Sequence, residues 1–168
     1  ALLNRCMRDL TAQLTDHGAY VNKFLGDGLL AFWSAFHPQE DQAELACRGA
    51  LACSRAVTAI NLDRPGQPPL HARIGIATGE AVVGDCGAPP LLNDYTVIGD
   101  VVNIASRLES AVAKPGQVVI GQETWLAAKH DYECEALQEV MLKGKLKSVQ
   151  PYLVKQRLKP KIGTTRAL

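Results

Sequence analysis

The stretch Lys23-Phe24-Leu25-Gly26-Asp27-Gly28-Leu29-Leu30-Ala31-Phe32-Trp33 sets one carboxylate between two glycines, inside apolar flanks. A short acidic side chain on a tight turn, where glycines let another group approach the backbone, suits a metal ion bound to phosphate oxygens. Asn103 and Arg107 stand four residues apart in a helical pattern, so both project from one helix face. Arginine's planar fork matches phosphate oxygens, and asparagine can orient a ribose or donate to a leaving oxygen. Lys143 and Lys145 flank Gly144, and Lys143 would reach a terminal phosphate. Lys23 offers donors only, whereas Thr96 both donates and accepts. Together they match adenine's N1 acceptor and its 6-amino donor; guanine presents the reverse and asks for an acidic residue where Lys23 stands.

Four of these residues also have a plainer use. Asp27 is a common turn former. Asn103 and Arg107 suit a wet helix face, with Arg107 paired to Glu109 or to solvent, and Lys143 suits a solvated basic turn. Other chemistries find no footing in the chain. Gly79-Glu80-Ala81-Val82-Val83-Gly84-Asp85-Cys86 has the glycine spacing of a phosphate-binding loop but lacks its Lys and Ser/Thr. No GxGxxG opens a helix, His17, His37, His71 and His130 lack metal-ligand spacing, and there is no nucleophile elbow.

The elements that must position these residues follow from periodicity. Leu3, Met7, Leu10 and Leu14 predict an amphipathic helix over 2–17, stopped at Gly18. A hairpin follows, with strands near 20–25 and 29–34 and the Asp-Gly step as its turn signal. Ala46, Ala50, Cys53, Val57 and Ile60 predict a second helix from about 41 to 60. Residues 71–78 read as a strand, turned at Gly79 so that 80–84 return as its partner, with a loop over 85–93. Residues 94–98 are extended, and Asp100 caps a third helix over 101–112 that ends at Pro115-Gly116. A strand over 117–120, a helix near 122–129 and a closing pair of strands over 132–142 and 149–154 complete the pattern. Hairpins among alternating strands and helices predict an α+β sandwich, one mainly antiparallel sheet with helices packed on it. The domain spans 1–155, and 156–168 read as a loose tail.

Composition bounds the function. With 168 residues and 47% hydrophobic content, the chain suits one domain with a real core. A net charge of +1 gives no electrostatic argument for nucleic acid, and no apolar run approaches membrane-spanning length. Five scattered cysteines form no CxxC pair, which predicts reduced thiols and a cytoplasmic setting.

Four runs together carry a resemblance: Lys23-Phe24-Leu25-Gly26-Asp27; Arg73-Ile74-Gly75-Ile76-Ala77-Thr78-Gly79-Glu80; Tyr95-Thr96-Val97-Ile98-Gly99-Asp100-Val101-Val102-Asn103-Ile104-Ala105-Ser106-Arg107-Leu108-Glu109; and Leu142-Lys143-Gly144-Lys145. In this order, over residues 2 to about 154, they resemble the class III adenylyl/guanylyl cyclase catalytic domain, most of all its bacterial adenylyl cyclases. The resemblance implies a ferredoxin-like α/β sandwich that works as a head-to-tail homodimer with active sites at the interface. It implies conversion of ATP to 3′,5′-cyclic AMP and pyrophosphate with two Mg²⁺ or Mn²⁺ ions. By it, Asp27 is a metal ligand, Lys23 and Thr96 read the base, Asn103 and Arg107 orient the ribose and stabilise charge on the α-phosphate, and Lys143 holds the terminal phosphates. Thr96 stands where many members have Asp. The family's first metal aspartate lies on a central strand ahead of the first helix, and this sequence opens after it; Asp9 and Asp16, on the helix, are poor substitutes. The expectation is therefore that 1–168 is part of a longer enzyme, fused in the family manner to a sensor or membrane module. A catalytically silent nucleotide-binding or regulatory module is the alternative. A guanylyl cyclase is disfavoured by Lys23, which would face guanine's N1–H with a second donor.

Overall fold

The computed structural model describes residues 1–88, 92–141 and 148–159. Its elements run α1 (Leu2–Asp16), β1 (Tyr20–Leu25), β2 (Gly28–Phe32), α2 (Gln42–Leu62), β3 (Ile74–Ile76), β4 (Val82–Ala88) and β5 (Leu92–Ile98). There follow α3 (Asp100–Arg107) with a π-helical turn (Leu108–Val112), β6 (Val118–Ile120), α4 (Gln122–Ala128), β7 (Tyr132–Ala136), β8 (Val140–Met141), β9 (Ser148–Val149) and β10 (Tyr152–Arg157). This is an α+β sandwich, as the sequence pattern predicts.

The scaffold is a four-stranded sheet ordered β3-β6-β10-β7. β6 runs antiparallel to β10 and β10 antiparallel to β7, whereas β3 runs parallel to β6. Because strand side chains alternate, β6 feeds two cores. Val118 and Ile120 pack with Ala43, Cys47 and Ala50 of α2, Ala128 of α4 and Tyr132. Val119, on the opposite face, packs with Leu108 and Ala113 beneath the π-helical turn. A third cluster joins Leu10 and Leu14 of α1 to Cys53 and Val57 of α2, with Val21, Leu29 and Ala31 of the β1–β2 hairpin against it. A polar knot closes the first core. Glu44 on α2 accepts the Tyr132 hydroxyl at 3.1 Å, receives Arg48 through both carboxylate oxygens, and pairs with Arg157 of β10 at 3.1 Å.

Several expected elements differ. The predicted strand over 71–78 shortens to Ile74–Ile76, because its partner β6 is only three residues long. Beyond those three pairs the bonds become single links, Gly116 N–H to the Ala72 carbonyl and Gly121 N–H to the Ile76 carbonyl. Residues 80–84 are not its hairpin partner. Val82 to Ala88 pair residue for residue with Ile98 to Leu92, and this ladder absorbs most of the expected 85–93 loop. The third helix begins at Asp100 itself, with Gly99 before it, and loosens into the π turn after Arg107. The closing strands divide into β7 with β10 and β8 with β9. β10 continues to Arg157, past the expected boundary at 155. Cys6, Cys47, Cys53 and Cys134 are free thiols. Among the described residues no helix is long and apolar enough to cross a membrane.

The β1–β2 hairpin forms a sheet of its own. A cavity of about 440 Å³ lies between it and the main sheet, lined on one side by Leu29 to Ser34 and on the other by Ile74 to Gly79.

Candidate functional site

The tip of the β1–β2 hairpin is a two-residue loop, Gly26 and Asp27, closed by pairing of Leu25 with Gly28. Gly26 has φ +64°, the left-handed region that glycine enters without a Cβ penalty. The Asp-Gly step read as the turn signal is thus shifted by one residue: Gly28 already belongs to β2. Asp27 is exposed and, among the described residues, forms no hydrogen bond or ion pair, so its carboxylate is open to an outside ligand.

Lys23 lies on β1 opposite Leu30 and is half-buried. The ladder slips between Val21 and Lys23, leaving Asn22 as an extra residue in a β-bulge. A bulge re-aims side chains, and Asn22 reaches β5. Its Nδ2 donates to the Tyr95 carbonyl, and the Thr96 hydroxyl donates to its Oδ1 at 3.2 Å. An aromatic cluster fixes this approach. Tyr20 of β1 meets Tyr95 edge-on at 5.7 Å between ring centroids and Phe36 at 5.2 Å, and Phe36 stacks on Tyr95 at 5.6 Å. The structure therefore brings Thr96 beside the strand segment that carries Lys23. Sequence reading singled out both residues but not Asn22. Its one visible signal was a polar residue next to Lys23 in an otherwise apolar strand.

Asn103 and Arg107 are both exposed on α3. Arg107 makes no ion pair among the described residues, and Glu109 pairs instead with Arg73 at 3.1 Å. The plain reading of Arg107 as Glu109's partner therefore does not hold. The position of α3 is set by Gly75 of β3. A Cβ there would sit 2.2 Å from the Ala105 carbonyl oxygen and 2.5 Å from the Glu109 nitrogen, so only glycine lets the helix ride this close to the strand. Among the described residues no hydrogen bond or ion pair joins Asp27 to Asn103 or Arg107 within one chain. The cavity between β2 and β3 is lined by none of Lys23, Asp27, Thr96, Asn103 or Arg107. Lys143 lies outside the described residues.

For a metal ion, Asp27 supplies one open carboxylate. The described residues hold no group of three or more His, Cys, Asp or Glu side chains able to bind a metal. A hard cation such as Mg²⁺ commonly takes one or two carboxylates and completes its shell with water and phosphate oxygens. Asp27 fits one ligand of such an ion, and the described residues do not furnish a complete protein cage for two.

The family model described as "Adenylate and Guanylate cyclase catalytic domain" matches residues 1–156. The chain is 35% identical over 155 residues to Adenylate cyclase 1 of Rhizobium meliloti, an alignment that covers 90% of this chain and 22% of that protein. The chain thus spans about a fifth of that relative's length. Among solved structures, the adenylyl cyclase CyaB from P. aeruginosa matches with a TM-score of 0.85 and 30% identity, covering 92% of this chain and 81% of that one. The guanylyl cyclase Cya2 matches with a TM-score of 0.87 and 31% identity, covering 95% and 81%.

Proposed function

The chain belongs to the adenylate and guanylate cyclase catalytic domain family, and from that premise we propose that it converts ATP to 3′,5′-cyclic AMP and pyrophosphate. The observation that carries the choice of ATP is that the Thr96 hydroxyl of β5 bonds Asn22, the residue next to donor-only Lys23 on β1. Lys23 donates to adenine N1, and Thr96 accepts from the 6-amino group. Guanine in the same pose would set N1–H against the ammonium, leaving donors unpaired at a cost of about 1–3 kcal/mol.

Asn103 orients the ribose, so that its 3′-oxygen is aimed at the α-phosphorus. Arg107 lays its fork against the α-phosphate oxygens and meets the charge that grows there as the ring closes. Lys143 holds the terminal phosphates, which leave as pyrophosphate. Asp27 would hold a divalent ion against the phosphates; when bound, such an ion lowers the charge barrier and the pKa of the attacking hydroxyl. The exposure of Asp27, Asn103 and Arg107, with no hydrogen bond or ion pair for any of them among the described residues, supports a homodimer whose sites form between two subunits.

A nucleotide-binding module without turnover is the second reading, favoured by the lone carboxylate at the hairpin tip. Cyclic nucleotide formation from ATP and from GTP, with Mn²⁺, separates the two. Cyclic AMP from ATP that disappears in Asp27→Ala supports the enzyme. No product from either nucleotide, in a folded dimeric sample, supports the silent module.

A further inference from the structure

We infer that Asn22 is a specificity-determining residue, which holds the Thr96 hydroxyl as a hydrogen-bond acceptor and so turns it toward adenine and against guanine. This rests on the reading of Lys23 and Thr96 as the base-recognition pair. Asn22 is the bulge residue of β1, with no register partner on β2, and its amide spans two successive residues of β5. The Tyr95 carbonyl can only accept, so the amide nitrogen must face it. That fixes the orientation of the carboxamide and points Oδ1 at Thr96. A carboxamide oxygen also only accepts. The single proton of the Thr96 hydroxyl is therefore committed to Asn22, and only its lone pairs are left for another partner.

A free hydroxyl rotates to suit its partner. It would accept from adenine's 6-amino group and equally donate to guanine's O6. With its proton committed, Thr96 can do only the first. Guanine O6 would meet lone pairs, while its N1–H would meet the Lys23 ammonium, so both contacts reverse together. The Tyr20, Phe36 and Tyr95 cluster keeps β1 and β5 at the distance this relay needs. Thr96 thereby does the work of a fixed acceptor without carrying a charge.

The test compares kcat/KM for ATP and GTP with Mn²⁺, and Kd for both nucleotides by calorimetry with Ca²⁺, in the full-length protein. Asn22→Leu should lower the ATP-over-GTP preference about tenfold, chiefly by improving GTP. Asn22→Ala, which also frees the Thr96 proton, should lower the preference in the same direction. In a Thr96→Val background, Asn22→Leu should no longer change the ratio, because the two act as one unit. A purely structural role for Asn22 would lower both nucleotides together at a constant ratio, and that result overturns the inference. Should Asn22→Leu not fold, an unchanged ATP-over-GTP ratio in Asn22→Ala overturns it equally. A wild-type protein that favours GTP, or binds neither nucleotide, overturns both the inference and the base reading. Wild-type ATP preference in Kd without turnover, with the ratio shifted in Asn22→Leu, upholds the inference while removing the cyclase activity.

Discussion

The strand β6 and the β1–β2 hairpin are similarly apolar in sequence and end in opposite states. Val118, Val119 and Ile120 are 2%, 0% and 0% exposed, whereas Phe24 and Leu25 are each 58% exposed. β6 lies between two neighbouring strands, with α2 and α4 over one face and the π turn over the other. The hairpin is a two-stranded sheet that rests on α1 and α2 and touches β5 through Asn22 and an aromatic cluster. Its outer end is left open, and that end carries Lys23 and Asp27. The buried scaffold and the residues proposed for recognition thus sit in different parts of the molecule. The scaffold's side chains are used up on one another, whereas Asp27 at the hairpin tip is exposed and makes no hydrogen bond or ion pair among the described residues.

Substitutions in the two regions should therefore separate folding from activity. Ile120→Ala, at the centre of the scaffold, should cost about 2–5 kcal/mol of stability, read as a lower denaturant midpoint; a cost under about 1 kcal/mol would break the contrast. Arg107→Ala should lower turnover about 10²–10³-fold with the thermal midpoint unchanged, because the side chain is exposed and unpaired among the described residues. Loss of folding in that variant would mean that Arg107 is structural. Gly75→Ala links the scaffold to the helix that carries Asn103 and Arg107, since the added methyl strikes the backbone of α3 and the turn after it. It should cost about 1–3 kcal/mol and also depress turnover, although Gly75 carries no reacting group.

Alkaline titration sharpens the same contrast. Burial pushes the thiols of Cys47 and Cys53 up to about 12 from an ordinary value of 9.0, and pushes the Tyr132 phenol upward as well. The folded state holds these protons to higher pH than the unfolded chain does. Their contribution is full below about pH 9 and is lost as pH rises toward 12, at up to about 1.4 kcal/mol per pH unit for each group. Thermal midpoints should fall across that window, and the slope should flatten in Cys47→Ala. A flat profile in the unmodified protein would contradict the burial of these groups.

Much of this was legible in the sequence. The helical stripes of Leu3, Met7, Leu10 and Leu14 and of Ala46, Ala50, Cys53, Val57 and Ile60 are local signals, and both helices stand within two residues of their expected ends. The hairpin at Gly26-Asp27 was equally local. Strand partners were not. Ile74–Ile76 look like half of a hairpin because Gly79 follows, yet their partner is Val118–Ile120, some forty residues onward and parallel. The 85–93 stretch reads as loop, but Asp85–Ala88 and Leu92–Asn93 lie in the β4–β5 ladder, where cross-strand pairing overrides local preference; residues 89–91 lie outside the described residues. The candidate site shows the same division. Residue types singled out Lys23, Asp27, Thr96, Asn103 and Arg107. The bulge at Asn22 is invisible to an alternation pattern, because an extra residue declares itself only against the opposite strand. Glu44 was likewise hidden, since its partners Tyr132 and Arg157 come from strands about ninety residues away or more.

In the proposed function the hairpin selects the base while the scaffold holds the fold. Measuring kcat/KM for ATP and GTP in Lys23→Glu, beside its thermal midpoint, tests this most directly. The preference should move toward GTP while the midpoint stays within about 2 °C of the unmodified protein, as expected for a change of a few tenths of a kcal/mol. Unchanged ATP selectivity in a folded Lys23→Glu protein would contradict it.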